Sequence, residues 1–413
     1  MAAGGLLRDP DFRRLWLADA VSQLGTRMGQ LALPLLVVLT LDATSLEVSL
    51  VRVAQTVASL AIGLQVGAWC DRLRCRPVLI AADLARLVLL GSLPLAAVLG
   101  VLTLAQVYVV VLLVGAATVF FDVAHLTYLP RLVERDELVE GNAKLRANMS
   151  VAAVAAPSLS GVVVQVLTAP VAVLADALSY LWSALWVWRI RAPEPAPPRV
   201  RRRPLRAEIA EGVRAVLADP VLRAIAGSNA TMAVFQSAQM AIWVVFLVRD
   251  IGLSPGTIGV LSTAGLVGAL VGSALVRRLT EVVGAARLLW LATLGAGAGF
   301  LLNPLTGPGP RLAFAVAASF IASACIIVLV VVQVSFQQAI VPTTLLGRVN
   351  GTMNLFYWGG APVGALLGGL VADQFGARTM LWVAGLGVVA SAGWLLASPL
   401  RRMRDMPDAT SVG

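Results

Sequence analysis

Long apolar stretches separated by short polar breaks follow one another along almost the whole chain. Each stretch is about 18 to 25 residues long, which suits a helix crossing a bilayer core of about 30 Å. We therefore predict an all-α membrane protein with twelve transmembrane helices, and an even number of spans places both termini on one side. The predicted spans are residues 15–39, 47–69, 78–99, 104–125, 147–167, 170–190, 224–248, 256–279, 286–303, 311–334, 349–372 and 377–398.

The composition agrees with this pattern. Of the 413 residues, 59% are apolar and only 13% are charged, whereas a soluble domain carries about 25% charged residues. This excludes soluble enzymes and nucleic-acid-binding proteins. The three cysteines and the single histidine, His125, lack the spacing of a metal site, so we expect no metal, no cofactor and no nucleic-acid partner.

The net charge of +10 reflects how the basic residues are distributed between the two sides of the membrane. Of the 32 Lys and Arg residues, 26 fall on the side that carries the N-terminus, and only Arg249, Arg311 and Arg378 fall on the opposite side. Basic residues accumulate in cytoplasmic loops. The bias predicts cytoplasmic N- and C-termini. The N-terminal segment carries acidic residues and leads into the first span without a small-residue cleavage site, so we expect this span to be uncleaved.

A long polar connection divides the spans into two groups of six. It begins as a Pro-rich segment, and then Leu205, Ile209, Val213, Val216 and Leu217 recur at helical spacing. We predict an amphipathic helix on the cytoplasmic face, with a solvated linker helix of no regulatory role as the simpler interpretation. The predicted regions are an N-terminal six-helix bundle (1–190), the linker (191–223), a C-terminal six-helix bundle (224–400) and a cytoplasmic tail (401–413).

The two halves carry corresponding residues around the fifth and eleventh spans, as in an internal repeat. Three residues of the first half, Pro130, Asn142 and Pro157, have counterparts 212, 208 and 205 positions later in Pro342, Asn350 and Pro362. Transporters built from such repeats bind substrate between the halves, near the middle of the bilayer. A proline inside each of these spans frees a backbone carbonyl group and bends the helix.

The loop after the second span carries a recognisable motif. Gly67, Asp71, Arg72 and Arg76 occur at spacings that resemble the cytoplasmic loop motif of the major facilitator superfamily. This resemblance implies two pseudo-symmetric six-helix bundles that alternate access to a central site. Asp71 and its basic neighbours would then hold one conformation at the cytoplasmic face. A basic loop that only sets the topology is the alternative.

Further segments resemble a narrower branch, the macrolide-efflux and enterobactin-exporter proteins that are commonly labelled drug:proton antiporters. They include Phe12-Arg13-Arg14-Leu15-Trp16, Ala82-Asp83-Leu84-Ala85-Arg86, Glu211-Gly212-Val213-Arg214 and Gly347-Arg348-Val349-Asn350. In the fifth span, Ala156, Pro157 and Gly161 resemble an antiporter motif, and Pro362 is the matching bend. The resemblance implies export of amphipathic molecules such as antibiotics or siderophores. The proton gradient would be the energy source, and we expect a monomer in the cytoplasmic membrane.

Ionisable residues within the spans are few. A charge at membrane depth costs about 2.5–3.5 kcal/mol or more, so each one needs a partner or water. In the first span Asp19, Gln23, Arg27 and Gln30 share one helical face, which we expect to line water or substrate. Asp122 lies at a depth comparable with Asp19, and we expect the nearby His125 to be interfacial.

The superfamily resemblance places the first, fourth, seventh and tenth spans around a central cavity. Asp19 and Asp122 are therefore our proton-coupling candidates, with Arg27 as a counter-charge. The alternative is that these charges only hold helices together. The cavity and substrate candidates are Gln23, Arg27, Gln30, Gln236, Gln239, Gln333, Asn354 and Trp358, while Asp83, Arg86 and Asp176 are expected to be structural, with Asp83 and Arg86 able to pair.

Two other functions remain as alternatives. The first is an ion-coupled importer or facilitator of a small nutrient. The second, more remote, is a polytopic membrane enzyme, because Gly252-Leu-Ser254-Pro-Gly256 fits the spacing of a nucleophile elbow. That motif requires a strand-to-helix turn and a histidine partner, and here it precedes a predicted span.

Overall fold

The computed structural model describes residues 5–70, 73–134, 136–194 and 205–405, and the regular elements in these residues are helices. Six long helices form the first part of the chain. Asp9 begins the first of them, because its carboxylate accepts hydrogen bonds from the backbone N–H groups of Asp11 and Phe12. The six helices are α1 (Pro10–Thr40), α2 (Ser45–Cys70), α3 (Cys75–Val98), α4 (Leu104–Leu132), α5 (Leu138–Val166) and α6 (Ala169–Trp188).

A short helix and six further long helices follow. The helical spacing in the linker is realised as the 14-residue α7 (Leu205–Ala218). A π-helical turn at Phe246–Asp250 extends the helix that comes after it. The remaining helices are α8 (Pro220–Val245), α9 (Pro255–Val283), α10 (Ala285–Leu302), α11 (Leu312–Ile340), α12 (Thr343–Phe375) and α13 (Ala377–Leu396).

The chain forms two compact units. The first comprises Met1–Val200 with Ser254–Val260, and the second comprises Arg201–Leu253 with Leu261–Gly413. In the first unit α1 packs on α5 and α6, and α3 packs on α4 and α6; in the second, α8 packs on α12 and α13, and α10 packs on α11 and α13. The same pairing therefore recurs in both units, as an internal repeat requires. The predicted region boundaries stay a prediction.

Eleven helices within the described ranges are long and apolar enough to cross a membrane. The helix α1 is not among them, because Gln23, Arg27 and Gln30 interrupt its apolar sequence. The number of twelve spans and the side on which the termini lie stay predictions.

Several helices extend beyond the predicted spans. The helix α4 continues to Leu132 instead of ending at residue 125, and α5 begins at Leu138 instead of residue 147. The predicted limits followed the thickness of a bilayer, whereas a helix continues into water where its polar residues are solvated. As a result, His125, the last residue of the predicted fourth span, lies about two turns before the end of α4.

The linker helix α7 belongs to the packed interior of the second unit. Val216 is fully buried, and Glu211 forms a salt bridge of 2.6 Å with Arg348 near the start of α12. A Cβ atom at Gly212 would lie 2.5 Å from Oγ1 of Thr352, so only glycine fits there. The helix is therefore docked on α12 and is not a freely solvated linker. The Pro-rich segment before it, residues 195–204, lies outside the described residues.

Candidate functional site

Asp19 lies where α1, α4 and α5 meet. Its side chain is buried, with Oδ2 accepting a hydrogen bond of 2.9 Å from Asn148 and Oδ1 accepting one of 3.3 Å from Gln23. Nε2 of His125 lies 3.6 Å from Oδ1 of Asp19. We expected the Asp19 carboxylate to line water or substrate. The structure instead shows it enclosed, because α5 covers this part of α1.

Asp19 and His125 bring a carboxyl group and an imidazole side by side. A separation of 3.6 Å is too long for a direct hydrogen bond but short enough for strong attraction when the imidazole is protonated. The imidazole stacks on the ring of Phe121 with centroids 5.6 Å apart. His125 therefore packs beside Asp19 inside the first unit. Its position relative to the membrane surface stays a prediction.

The remainder of the polar face of α1 lies further along the helix. Gln23 and Arg27 are half-buried and Gln30 is exposed. Nη1 of Arg27 donates to Oε1 of Gln30 over 3.3 Å. Arg27 is eight residues from Asp19, about 12 Å along the axis, so the two charges do not pair directly.

Asp122, the second proton-coupling candidate, is exposed on α4. It has electrostatic interactions with Arg86 and His125. Asp122 and Asp19 therefore share one neighbour, His125. The structure brings the two candidates into one electrostatic group, although their exposure differs.

The three residues expected to be structural are also brought together. Arg86 and Asp83 form a buried ion pair on α3. Asp176 on α6 is equally buried and interacts electrostatically with Arg86. Within the described residues, no cluster of His, Cys, Asp and Glu side chains has a composition that could hold a metal ion.

The polar candidates of the second unit form a smaller network. The hydroxyl of Tyr357 on α12 donates a hydrogen bond of 2.8 Å to Oε1 of Gln236 on α8. Asn354 and Trp358 are exposed, whereas Gln239 and Gln333 are half-buried. Contact with substrate at these positions stays a prediction.

The antiporter-like segment of α5 lies in a close helix contact inside the first unit. Ala156 is fully buried. A Cβ atom at Gly161 would overlap the carbonyl oxygen of Pro255, and one at Gly259 would overlap the carbonyl oxygen of Pro157. The small residues therefore permit a close backbone approach.

The matching bend in the second unit is at Pro362 on α12. The preceding residue, Ala361, accepts a hydrogen bond of 2.7 Å from Oγ of Ser237 on α8. Ser237 thus joins α8 to α12 by a hydrogen bond to the backbone next to Pro362.

The loop motif is only partly described. Asp71 and Arg72 lie outside the described residues, and Gly67 is in α2. Arg76, in the first turn of α3, donates hydrogen bonds from its guanidinium group to the carbonyl oxygens of Val187 and Trp188 at the end of α6. This basic residue of the motif therefore joins α3 to α6.

Glu194 is a residue that the sequence analysis missed. Its carboxylate accepts hydrogen bonds from the backbone N–H groups of Cys75 (2.5 Å) and Arg76 (3.1 Å), and it pairs with Nη1 of Arg131 at 2.8 Å. The helix α3 has no side-chain cap of its own at Arg74, so Glu194 supplies one from 119 residues away. The only signal was an acidic residue at the start of a basic linker.

Asp11 makes a similar contact with the residues that follow α6. It accepts hydrogen bonds from the backbone N–H groups of Arg191 (3.1 Å) and Ala192 (2.8 Å) and pairs with Arg14. Burial alone would raise the pKa of Asp11, but these donors and the Arg14 charge outweigh burial and lower its pKa. Asp11 and Glu194 together fix the end of α6 to α1, α3 and α4.

Two units with the same helix pairing, built from long apolar helices with a few charges buried inside, agree with the fold expected for the major facilitator superfamily. The sequence profile of a family within that superfamily, described as transmembrane secretion effector, matches residues 3–412. The chain therefore belongs to this family. It is a multi-pass membrane transporter and not an enzyme.

The chain is similar to characterised relatives along almost its whole length. The enterobactin exporter EntS of Escherichia coli O1:K1 / APEC is 30% identical over 410 residues, which cover 96% of this chain and 94% of the exporter. The same exporter of Shigella boydii serotype 18 is 29% identical, with the same coverage.

Two solved structures illustrate the shared fold. The nucleoside transporter NupG superimposes with a TM-score of 0.80 at 11% identity, covering 95% of this chain and 99% of that protein. A bacterial homologue of the iron transporter ferroportin, in an inward-facing state, gives a TM-score of 0.76 at 14% identity, covering 95% and 99%. At these identities the likeness concerns the fold alone.

Proposed function

We propose that this chain exports amphipathic small molecules from the cytoplasm in exchange for protons. The observation that carries the proposal is the buried Asp19 carboxylate with His125 at 3.6 Å. The relatives that are 30% identical are named as exporters, which supports the outward direction. We place the chain in the cytoplasmic membrane with both termini inside, as the distribution of basic residues predicts.

The Asp19 site couples proton binding to helix packing. When Asp19 is ionised, hydrogen bonds from Asn148 and Gln23 stabilise the negative charge, and a protonated His125 attracts it. A proton that binds Asp19 removes this attraction and weakens the contact between α1, α4 and α5. Arrival and departure of one proton thus bias the packing of the first unit, which an antiport cycle requires.

The proposed substrates are amphipathic molecules such as siderophores and antibiotics. The second unit supports this class, because its substrate candidates are uncharged and include the exposed Trp358. An aromatic ring and amide groups favour a partly apolar molecule over a small ion. A catecholate siderophore is the first compound to test, because the relatives are named for enterobactin.

Inverted membrane vesicles provide the test. Vesicles with the wild-type chain are energised with a proton gradient and supplied with a catecholate siderophore, a macrolide or a lipophilic dye, and uptake into the vesicle lumen is followed. We expect gradient-dependent uptake of at least one compound, with strong loss in Asp19→Asn or Asp122→Asn. The exposed Asp373 on α12 gives the matched control, Asp373→Asn.

Two results would refute the proposal. Full proton-driven uptake in both single variants would exclude the assigned carboxylates. Movement of a nutrient in the opposite direction, with none of the amphipathic compounds transported, would establish import instead.

A further inference from the structure

A second charged cluster lies inside the first unit, enclosed by α1, α3, α4 and α6. Arg86 is 2% exposed, and its guanidinium carbon lies 4.1 Å from the ring centroids of both Phe121 and Tyr180. Asp83 and Asp176, which are 0% and 3% exposed, flank it. The two rings fix the position of the guanidinium group and exclude water from it.

The charges in this cluster do not balance. Two buried carboxyl groups share one guanidinium group, and Asp122 also interacts with Arg86 from its exposed position on α4. Asp83 is directly ion-paired with Arg86, whereas Oδ1 of Asp176 has no hydrogen-bond partner among the described residues. An uncompensated buried charge is strongly unfavourable. A proton on Asp176 neutralises the excess.

The helix α1 closes over Asp176. A Cβ atom at Gly29 would overlap Oδ2 of Asp176, and one at Gly25 would lie 3.1 Å from Oδ1. The Asp176 carboxyl is therefore in contact with the backbone of α1 and has no access to water while these helices stay packed. Separation of α1 from α6 would expose it.

Two hydroxyl groups connect Asp176 with the polar face of α1. Tyr180 lies one helical turn after Asp176 on α6 and interacts electrostatically with it, and Oγ1 of Thr26 lies 3.0 Å from the Tyr180 hydroxyl. Thr26 is half-buried and precedes Arg27 on the same helix. This short chain of hydroxyl groups leads from the buried carboxyl to the polar face.

The charged groups that interact with the cluster come from α3 and α4. They are Asp83 and Arg86 on α3 and Asp122 on α4, which also interacts with His125, and Tyr180 lies beside Asp176 on α6 itself. The helix α1 meets Asp176 through Gly25 and Gly29, and α5 has no ionisable residue after Arg146.

We propose that Asp176 is a second proton-binding site, connected through Tyr180 and Thr26 to α1. Its carboxylate takes up one proton when α1 packs over it and releases that proton to water when α1 moves away. Asp83 and Arg86 remain the fixed ion pair beside it. This inference rests on the proposed antiport, to which it adds a second protonation step.

Infrared spectroscopy of the purified chain in lipid tests the site without any substrate. Spectra of the wild type, Asp176→Asn and the control Asp373→Asn are compared between about pH 5 and about pH 9, above the ordinary range of an exposed aspartic acid. We expect a carbonyl band of protonated carboxylic acid at neutral pH in the wild type and the control, and loss of the Asp176 contribution to this band in Asp176→Asn. Identical wild-type and Asp176→Asn spectra would overturn the proposal.

A second variant keeps the test decisive if Asp176→Asn does not fold. Tyr180→Phe retains the ring beside Arg86 and removes only the hydroxyl group. Since this hydroxyl group is the proposed connection to α1, we expect the pH range over which the band disappears to differ between Tyr180→Phe and the wild type. A band that is unaffected by this change would refute the proposed connection.

Transport measurements separate this inference from the antiport itself. We expect Asp176→Asn to retain exchange of substrate across the membrane but to lose uphill export. Unimpaired uphill export in Asp176→Asn would refute the second site while leaving the antiport intact. A wild type that moves no protons would refute the antiport, whereas the infrared result would still report on Asp176.

Discussion

The contact between α1 and Asp176 gives a quantitative prediction. In Gly29→Ala the new Cβ atom would lie 3.0 Å from Cγ of Asp176 and overlap its Oδ2. Overpacking of this kind costs about 1–3 kcal/mol, while alanine returns about 0.5–1 kcal/mol of helix stability relative to glycine. We therefore expect a net loss of about 0–2.5 kcal/mol in the free energy of unfolding, with a central value of about 1 kcal/mol.

Gly91 on α3 provides the matched control, because a Cβ atom there meets nothing within 4 Å. Gly91→Ala should therefore stabilise the chain by about 0.5–1 kcal/mol. Thermal unfolding of the purified variants in detergent measures the difference. In an Asp176→Ala background the overlap is removed, so Gly29→Ala should lose most of its cost. Equal stability of Gly29→Ala and Gly91→Ala would refute the described contact.

Three further predictions concern the ends of the helices. Glu194→Gln should lower the free energy of unfolding by about 1.5–3 kcal/mol, because it removes the charged acceptor at the start of α3; thermal unfolding checks this. Glu211→Gln should cost less than about 1 kcal/mol in the same assay, since its pair with Arg348 is partly exposed. Because the pKa of Asp11 is lowered in the fold, its stabilisation is complete at neutral pH and is lost as acid protonates it. Asp11→Asn should therefore flatten the decline of stability below about pH 4, as measured by acid unfolding.

Much of the fold was predictable from the sequence, because bilayer spans and repeats leave direct patterns. The helical spacing of Val213, Val216 and Leu217 predicted α7, and the separation of Asp83 and Arg86 predicted their pairing on one helix. Both predictions use the spacing of residues within one helix, because the helical period determines which residues share a face. The division into two groups of helices was predictable from the long polar connection between them.

The sequence could not predict which distant residues lie close together at the site, since this depends on how the helices cross. Asp19 and Asn148 are 129 residues apart, and no spacing rule places His125 opposite them. Glu194 was missed for the same reason, because its partners at the start of α3 lie far away in the sequence. The docking of Gly212 on α12 depends on a close backbone approach that periodicity does not reveal.

Substrate-driven proton movement tests the central claim most directly. The purified chain is reconstituted in liposomes with a pH-sensitive dye, and a catecholate siderophore, a macrolide or a lipophilic dye is added to one side without an imposed gradient. We predict that a transported compound drives protons in the opposite direction, and that Asp19→Asn abolishes this movement while Asp373→Asn does not. Transport without any proton movement, or proton movement unchanged in Asp19→Asn, would contradict the account.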